Sequence, residues 1–262
     1  MTVIANIIAI FRKELQGYFF SPFAYVVTAV FWALSGFMFF TILMSVIQNI
    51  VQSEQLGIPI PPIDAAYEFI LQFFSVMGLL VLFVLPVFSM SLYAEERKRG
   101  TLELLATSPL TNWSVAVGKL LAVLTFFMFT ILPFLIYQAI AFSSANPPVP
   151  PAVPLLALLG LVLLAAAILS LGMFISSLTD SLILSAVLTF SLALGLWIID
   201  AIADRTVSPF REILSHLSLL KHYNNLVQGI VDTSSLVLLC SYIVLGIFLT
   251  AQSIESLRFS RN

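Results

Sequence analysis

Six of the chain's 24 charged side chains fall within the seventeen residues from Tyr93 to Pro109, between two long uncharged runs. Glu95 stands four residues before Arg99, the spacing that pairs opposite charges on one helical face. Gly100 interrupts that helix, and Thr101 is placed to cap a second one. Glu103, in the first turn of the second helix, faces its positive end. Leu102, Leu104 and Leu105 give it apolar knobs before Ser108-Pro109 stops it. The chemistry on offer is docking rather than bond-making. Leucine anchors inside a rim of Glu95, Glu96, Arg97 and Arg99 suit a groove on a soluble partner, the apolar contacts supplying affinity and the charges register. A juxtamembrane loop of solvated charges is the other reading of the same residues.

No other stretch offers reactive chemistry. The sequence holds no G-x-x-x-x-G-K-[ST], so it cannot cradle ATP phosphates in a P-loop of its own. There is no G-x-S-x-G, and no Asp, Glu, Lys, Arg or His at the centre of an apolar run, where an ion-driven carrier would place one. Asp180 and Asp200 stand at run ends, within reach of water. His216 and His222 lack partners at metal-ligand spacing and are expected at the surface. No catalytic, cofactor-binding or metal-binding residue is predicted, and the single Cys240 cannot form an intrachain disulfide.

The elements that must hold the charged stretch are apolar throughout. Sixty per cent of the 262 residues are hydrophobic and 9% charged, a balance that leaves too little polar surface for a water-exposed exterior. A net charge of −2 supplies no electrostatic footprint for a nucleic acid. Crossing the hydrocarbon core takes roughly 20 apolar residues in a helix. Six runs qualify: 23–47, 69–92, 120–142, 155–178, 182–202 and 236–254. None alternates in polarity as a barrel strand would. The fold class is therefore all-α and membrane-embedded, with membrane lipid as its main solvent.

Six spans put both termini on one side. That side carries Arg12, Lys13, Arg97, Lys98, Arg99, Lys119, Arg258 and Arg261, against Arg205, Arg211 and Lys221 on the other. The positive-inside rule makes the first set cytoplasmic. Arg12-Lys13-Glu14 also falls where a secretory h-region would have to be uninterrupted, so no removable signal peptide is expected.

Ile4, Ile7, Ile8, Phe11, Leu15 and Tyr18 follow helical spacing, with Asn6, Lys13, Glu14 and Gln16 assigned mostly to the remainder of the wheel. The pattern predicts an interfacial helix over residues 1–22, ended by Ser21-Pro22. It is read either as an anchor or as an elbow carrying force into the first span. Within the bundle, Ser181, Ser185, Thr189 and Ala193 form a small-residue stripe at four-residue spacing, with Gly172 and Ser176 a shorter one. Helix packing is the simpler reading; a conduit or dimer seam is the sharper one. Pro86 and Pro133 are expected to bend the second and third spans unless neighbours re-satisfy the freed carbonyls.

The stretch from Glu95 to Pro109, followed by Gly118-Lys119, resembles the signature of ABC-2-type transporter permeases. More narrowly, it resembles the branch that includes the gliding-motility and nitrous-oxide-reductase-maturation permeases. Residues 172–179 and 222–232 are similar to further family stretches, and the likeness covers nearly the whole chain. The proline-rich Asn146-Pro147-Pro148-Val149-Pro150-Pro151 is a departure.

The resemblance implies one ABC-2-type transmembrane domain over 1–262. It comprises a connecting helix (1–22, with Phe11, Arg12, Lys13 and Glu14), spans one and two (23–92) and a cytoplasmic coupling region (93–119). Spans three to five (120–203), an outer helical segment capping the pathway (204–233), and span six with its tail (234–262) follow. It further implies a non-catalytic exporter subunit in an inner membrane. ATP and Mg would sit on a separate ATP-binding subunit, with a second permease copy or a sister permease beside it and an auxiliary outer-face subunit as a further partner. A membrane scaffold for an envelope or motility complex, carrying no cargo, is the alternative.

Overall fold

The computed structural model describes residues 2–57, 62–102, 110–143, 150–203, 205 and 210–259. Every regular element among them is a helix. In chain order these are α1 (Thr2–Phe20), α2 (Pro22–Gln55), α3 (Pro62–Ser89), α4 (Ala94–Lys98), α5 (Asn112–Ser143), α6 (Ala152–Leu178), α7 (Leu182–Ala203), α8 (Phe210–Leu217), α9 (Leu219–Val227) and α10 (Thr233–Phe259). Among the described residues, α2, α3, α5, α6, α7 and α10 are the helices long and apolar enough to cross a membrane. They coincide with the six expected runs and extend beyond most of them. At 1.5 Å per residue, the 34 residues of α2 span about 50 Å, so this helix tilts or projects beyond the hydrocarbon.

The first break lies where proline chemistry puts it. Ser21 caps α2, accepting a hydrogen bond from the Ala24 N–H at 3.4 Å, and Pro22 follows at the first helical position. Pro86 and Pro133 both stand inside continuous helices.

α6 is the axle of the bundle. Its residues from Leu164 to Met173 are buried without interruption, as expected of a helix covered on all sides. It packs against α3, α5, α7, α9 and α10. Gly246 of α10 lies against Ser170 so closely that a Cβ there would stand 2.5 Å from the Ser170 backbone carbonyl carbon. Such small-residue contacts let helices approach where lipid removes the hydrophobic drive. α2, by contrast, packs mainly on α3 and exposes Phe37, Phe40 and Ile47.

The segment between α7 and α10 divides in two. Nothing on α8 is buried; Phe210 and Ile213 are exposed, as on a helix lying at an interface. α9 instead sinks into the bundle, burying Leu219, His222, Tyr223, Leu226 and Val227. The Tyr223 hydroxyl donates to the Phe74 carbonyl at 2.5 Å. Gly78 makes room for it: a Cβ there would stand 2.5 Å from the Tyr223 ring and 2.9 Å from Trp197.

His222 corrects the surface expectation, being only 2% exposed. Its Nε2 stands 3.1 Å from the His216 carbonyl and its Nδ1 2.8 Å from Ser235 Oγ. A carbonyl only accepts, so Nε2 carries the proton and Nδ1 accepts from Ser235. The ring is buried because both nitrogens are satisfied.

Candidate functional site

α1 packs along α5, and the fit depends on a glycine. A Cβ on Gly118 would stand 2.9 Å from Ile10 and 3.1 Å from the Ile7 carbonyl. The inward face of α1 includes Ile7, Ile10, Phe11, Glu14, Leu15, Tyr18 and Phe19, while Ile4 and Ile8 are exposed. Glu14 therefore belongs to the packed face, against the expectation. The phase explains it: Glu14 follows Ile7 by seven residues and Phe11 by three, so it shares their side of the wheel. Tyr18 stacks on Phe126 and donates from its hydroxyl to the Phe88 carbonyl at 2.9 Å, tying α1 to both α5 and α3.

The donor that Glu14 and Glu96 share is Lys119, one turn past Ala116 on α5. Its side chain is 2% exposed. The ammonium donates to Glu14 Oε1 at 3.2 Å, to Glu96 Oε1 at 3.0 Å and to the Leu92 carbonyl at 2.7 Å, and it lies 4.9 Å from the Tyr93 ring centroid. A buried ammonium persists only when such partners replace its water. One side chain thus joins α1, the α3–α4 corner and α5.

A second joint fixes the same corner to α6. Ser176 Oγ accepts from the backbone N–H groups of Tyr93 (3.0 Å) and Ala94 (2.9 Å) and donates to the Met90 carbonyl (2.8 Å). These are donors at the start of α4 that its own first turn leaves free. Arg97 reaches back to the Ser177 carbonyl at 2.6 Å. Ser177 Oγ lies 2.9 Å from Ser253 Oγ, extending the tie to α10.

α4 ends as its sequence requires. Gly100 adopts φ +69°; its N–H bonds the Arg97 carbonyl, and the Thr101 N–H bonds the Glu96 carbonyl at 2.9 Å. This is the glycine-terminated double closure of a helix C-terminus, open to L side chains only with strain. The Thr101 hydroxyl adds a bond to the same Glu96 carbonyl. Glu95 and Arg99 form the expected pair at 2.5 Å, both partly exposed on the rim.

Leu102 is 1% exposed, so the first leucine knob points into the bundle rather than outward. Glu103, Leu104, Leu105, Ser108 and Pro109 lie outside the described residues. Arg12 and Lys13 are exposed on α1, and Lys13 approaches Glu14 at 3.7 Å. Of the small-residue stripe, Ser185, Thr189 and Ala193 are buried and Ser181 is exposed. Ser181 Oγ accepts from the Leu184 N–H in the manner of a cap.

A cleft of about 700 Å³ opens between α1 and the α3–α4 corner. Lys13, Glu14, Glu95, Glu96, Arg99 and Lys119 supply its charges, and Gly17 and Leu110 its apolar wall. No group of three or more His, Cys, Asp or Glu able to hold a metal occurs among the described residues. The arrangement ties α1, the α3–α4 corner, α5 and α6 together at one place. Tyr93 and Lys119 fall within the expected coupling region, but their burial at this corner, and the part Ser176 plays in it, were not read from the sequence. A single lysine at the head of an apolar run was the available signal for the burial of Lys119.

Residues 5–231 match the ABC-2 type transporter family. No curated protein matches the chain. Members of the family are generally non-catalytic transmembrane subunits that work with an ATP-binding subunit. The match spans α1, the charged corner, the first five crossing helices and α9, and with the six apolar helices it carries the conclusion that this multi-pass membrane protein belongs to the ABC-2 type transporter family.

Proposed function

We propose that the chain is the permease subunit of an ABC exporter and that ATP is hydrolysed, with Mg, on a separate ATP-binding subunit. The observation that carries this reading is the corner itself. Residues 93–101 are tied to α6 through Ser176 and to α1 and α5 through Lys119. A push received there cannot be absorbed locally; it passes to three helices at once. α1 would be the connecting helix and residues 95–109 the coupling segment, both on the cytoplasmic side that the charge asymmetry supports. A second permease copy, or a sister permease, would complete the pathway in an inner membrane, with an auxiliary outer-face subunit as a further partner. α9, sunk between α3, α6 and α7, would cap the outer end. The likeness of the 95–109 stretch to gliding-motility and nitrous-oxide-reductase-maturation permeases supports placement in that branch.

The test is purification of the chain from its native membrane with whatever P-loop ATPase accompanies it. The reading predicts stoichiometric recovery of one such subunit, and hydrolysis lowered when Gly100 is replaced by valine. Recovery of no ATPase overturns it.

A further inference from the structure

Between α2 and α5 lies a groove of about 540 Å³, lined by Trp32, Gly36, Phe39, Pro133, Phe134 and Tyr137. The two helices touch at its ends and part between them. At one end Trp32 Nε1 donates to the Thr130 carbonyl at 2.7 Å; at the other the Phe39 and Tyr137 rings stand 6.3 Å apart. Gly36 has no side chain to fill the gap, and a Cβ there would meet nothing within 4 Å. Counted from Pro22, the groove occupies about 15 to 25 Å of α2, within a hydrocarbon core about 30 Å thick. Phe37 of α2 and Ile136 of α5 are exposed beside it, so the groove is a recess in the surface that lipid covers. The one polar atom at its inner end, Trp32 Nε1, is already paired.

The volume also selects the occupant. Spread over the roughly 10 Å of α2 from Trp32 to Phe39, it gives a cross-section of about 50 Å². An α-helix with its side chains is about 10–12 Å across, or roughly 80–110 Å², too thick to enter. A hydrocarbon tail is thin enough, and it would meet aromatic rings on both walls and the floor. We propose that the groove seats one acyl chain of a phospholipid, held as a resident packing partner of α2. α2 packs mainly on α3, so the tail supplies the contact with α5 that Gly36 and Pro133 leave open. Close van der Waals fit of this kind is what joins helices in lipid. The proposal requires only that the chain spans a membrane and is independent of any ATP-binding subunit.

The test purifies the full chain in mild detergent and counts its bound lipid by native mass spectrometry. Wild type retains one phospholipid per chain more than Gly36→Phe, whose added ring fills the groove. Gly195→Phe puts the same bulk at an exposed glycine of α7, where a Cβ also meets nothing within 4 Å, and keeps the wild-type count. A second measurement needs no variant to fold. In vesicles containing a phosphatidylcholine with a diazirine midway along one acyl chain, light labels residues 32–39 and 130–137 of wild type more densely than the exposed face of α7. Equal lipid counts in wild type and Gly36→Phe overturn the proposal, as does labelling spread evenly over the crossing helices. A Gly36→Phe chain that keeps its lipid but loses a bound second copy of itself overturns it too, and assigns the groove to contact between copies.

Discussion

Taking a lysine ammonium out of water costs several kcal/mol unless acceptors replace the solvent, and Lys119 has three of them plus the Tyr93 ring. Replacing it with methionine takes the buried cation from Glu96 and leaves Glu14 with only the exposed Lys13, 3.7 Å away. Both carboxylates remain partly open to solvent, at 18% and 21%, so water offsets part of the penalty. The expected loss is about 2–3 kcal/mol, below the 3–5 of a fully buried pair. Thermal unfolding of the detergent-solubilised chain reads it, and adding Glu14→Gln should recover part of the loss. At the other end, burial pushes the His222 pKa below its ordinary 6.5, with the Lys221 and His216 charges acting the same way and the His216 carbonyl and Asp232 opposing. The fold resists a proton that the unfolded chain accepts. Stability is therefore complete above pH about 6.5 and declines as pH falls toward the depressed value. Unfolding temperature measured across pH 5–8 should show that decline, and His222→Asn should remove it. Asp232 is held below the usual carboxylate range by the Ser234 hydroxyl and N–H, so its loss comes only at lower pH.

The crossing helices were legible because hydropathy and length are properties of composition, and lipid enforces both. Ser21-Pro22, the Glu95–Arg99 pair and Gly100 were legible for a similar reason: each is local chemistry within four or five residues. The inward turn of Glu14 was not, although its phase with Ile7 and Phe11 contains it, because the cation that makes its burial tolerable, Lys119, lies 105 residues away in sequence. α9 was harder still. Lys221, His222, Asn224 and Asn225 give it a polar appearance, and its burial depends on Ser235 and on the space at Gly78, both distant in sequence. The corner likewise depends on Ser176, eighty-three residues from Tyr93. Ser176→Ala removes the acceptor for two N–H groups and should cost about 1–2 kcal/mol. Because α3, α5 and α6 keep their apolar contacts, the variant should insert and fold. If the proposed reading holds, ATP hydrolysis by the bound ATP-binding subunit should fall at unchanged subunit binding, read by comparing turnover with affinity in lipid nanodiscs.

At the scale of the molecule, the bundle has a densely packed centre and a sparsely packed margin. α6 is covered on all sides from Leu164 to Met173, and the corner at residues 90–101 is bound to it and to α5. α2 leans on α3 and shows long apolar faces to its surroundings. Motion entering at the corner would therefore move α1, α3, α5 and α6 as one body, leaving α2 to adjust. The account stands or falls on what touches that corner and from which side. The direct measurement is site-specific photocrosslinking in native membranes. A benzophenone is placed on a cysteine at Arg99, in a chain whose exposed Cys240 has been changed to serine. The prediction is a covalent adduct with a P-loop ATPase, at a cysteine that a membrane-impermeant maleimide reaches only after the cells are opened. Labelling of that cysteine from outside intact cells, or crosslinks that never include an ATPase, would contradict it.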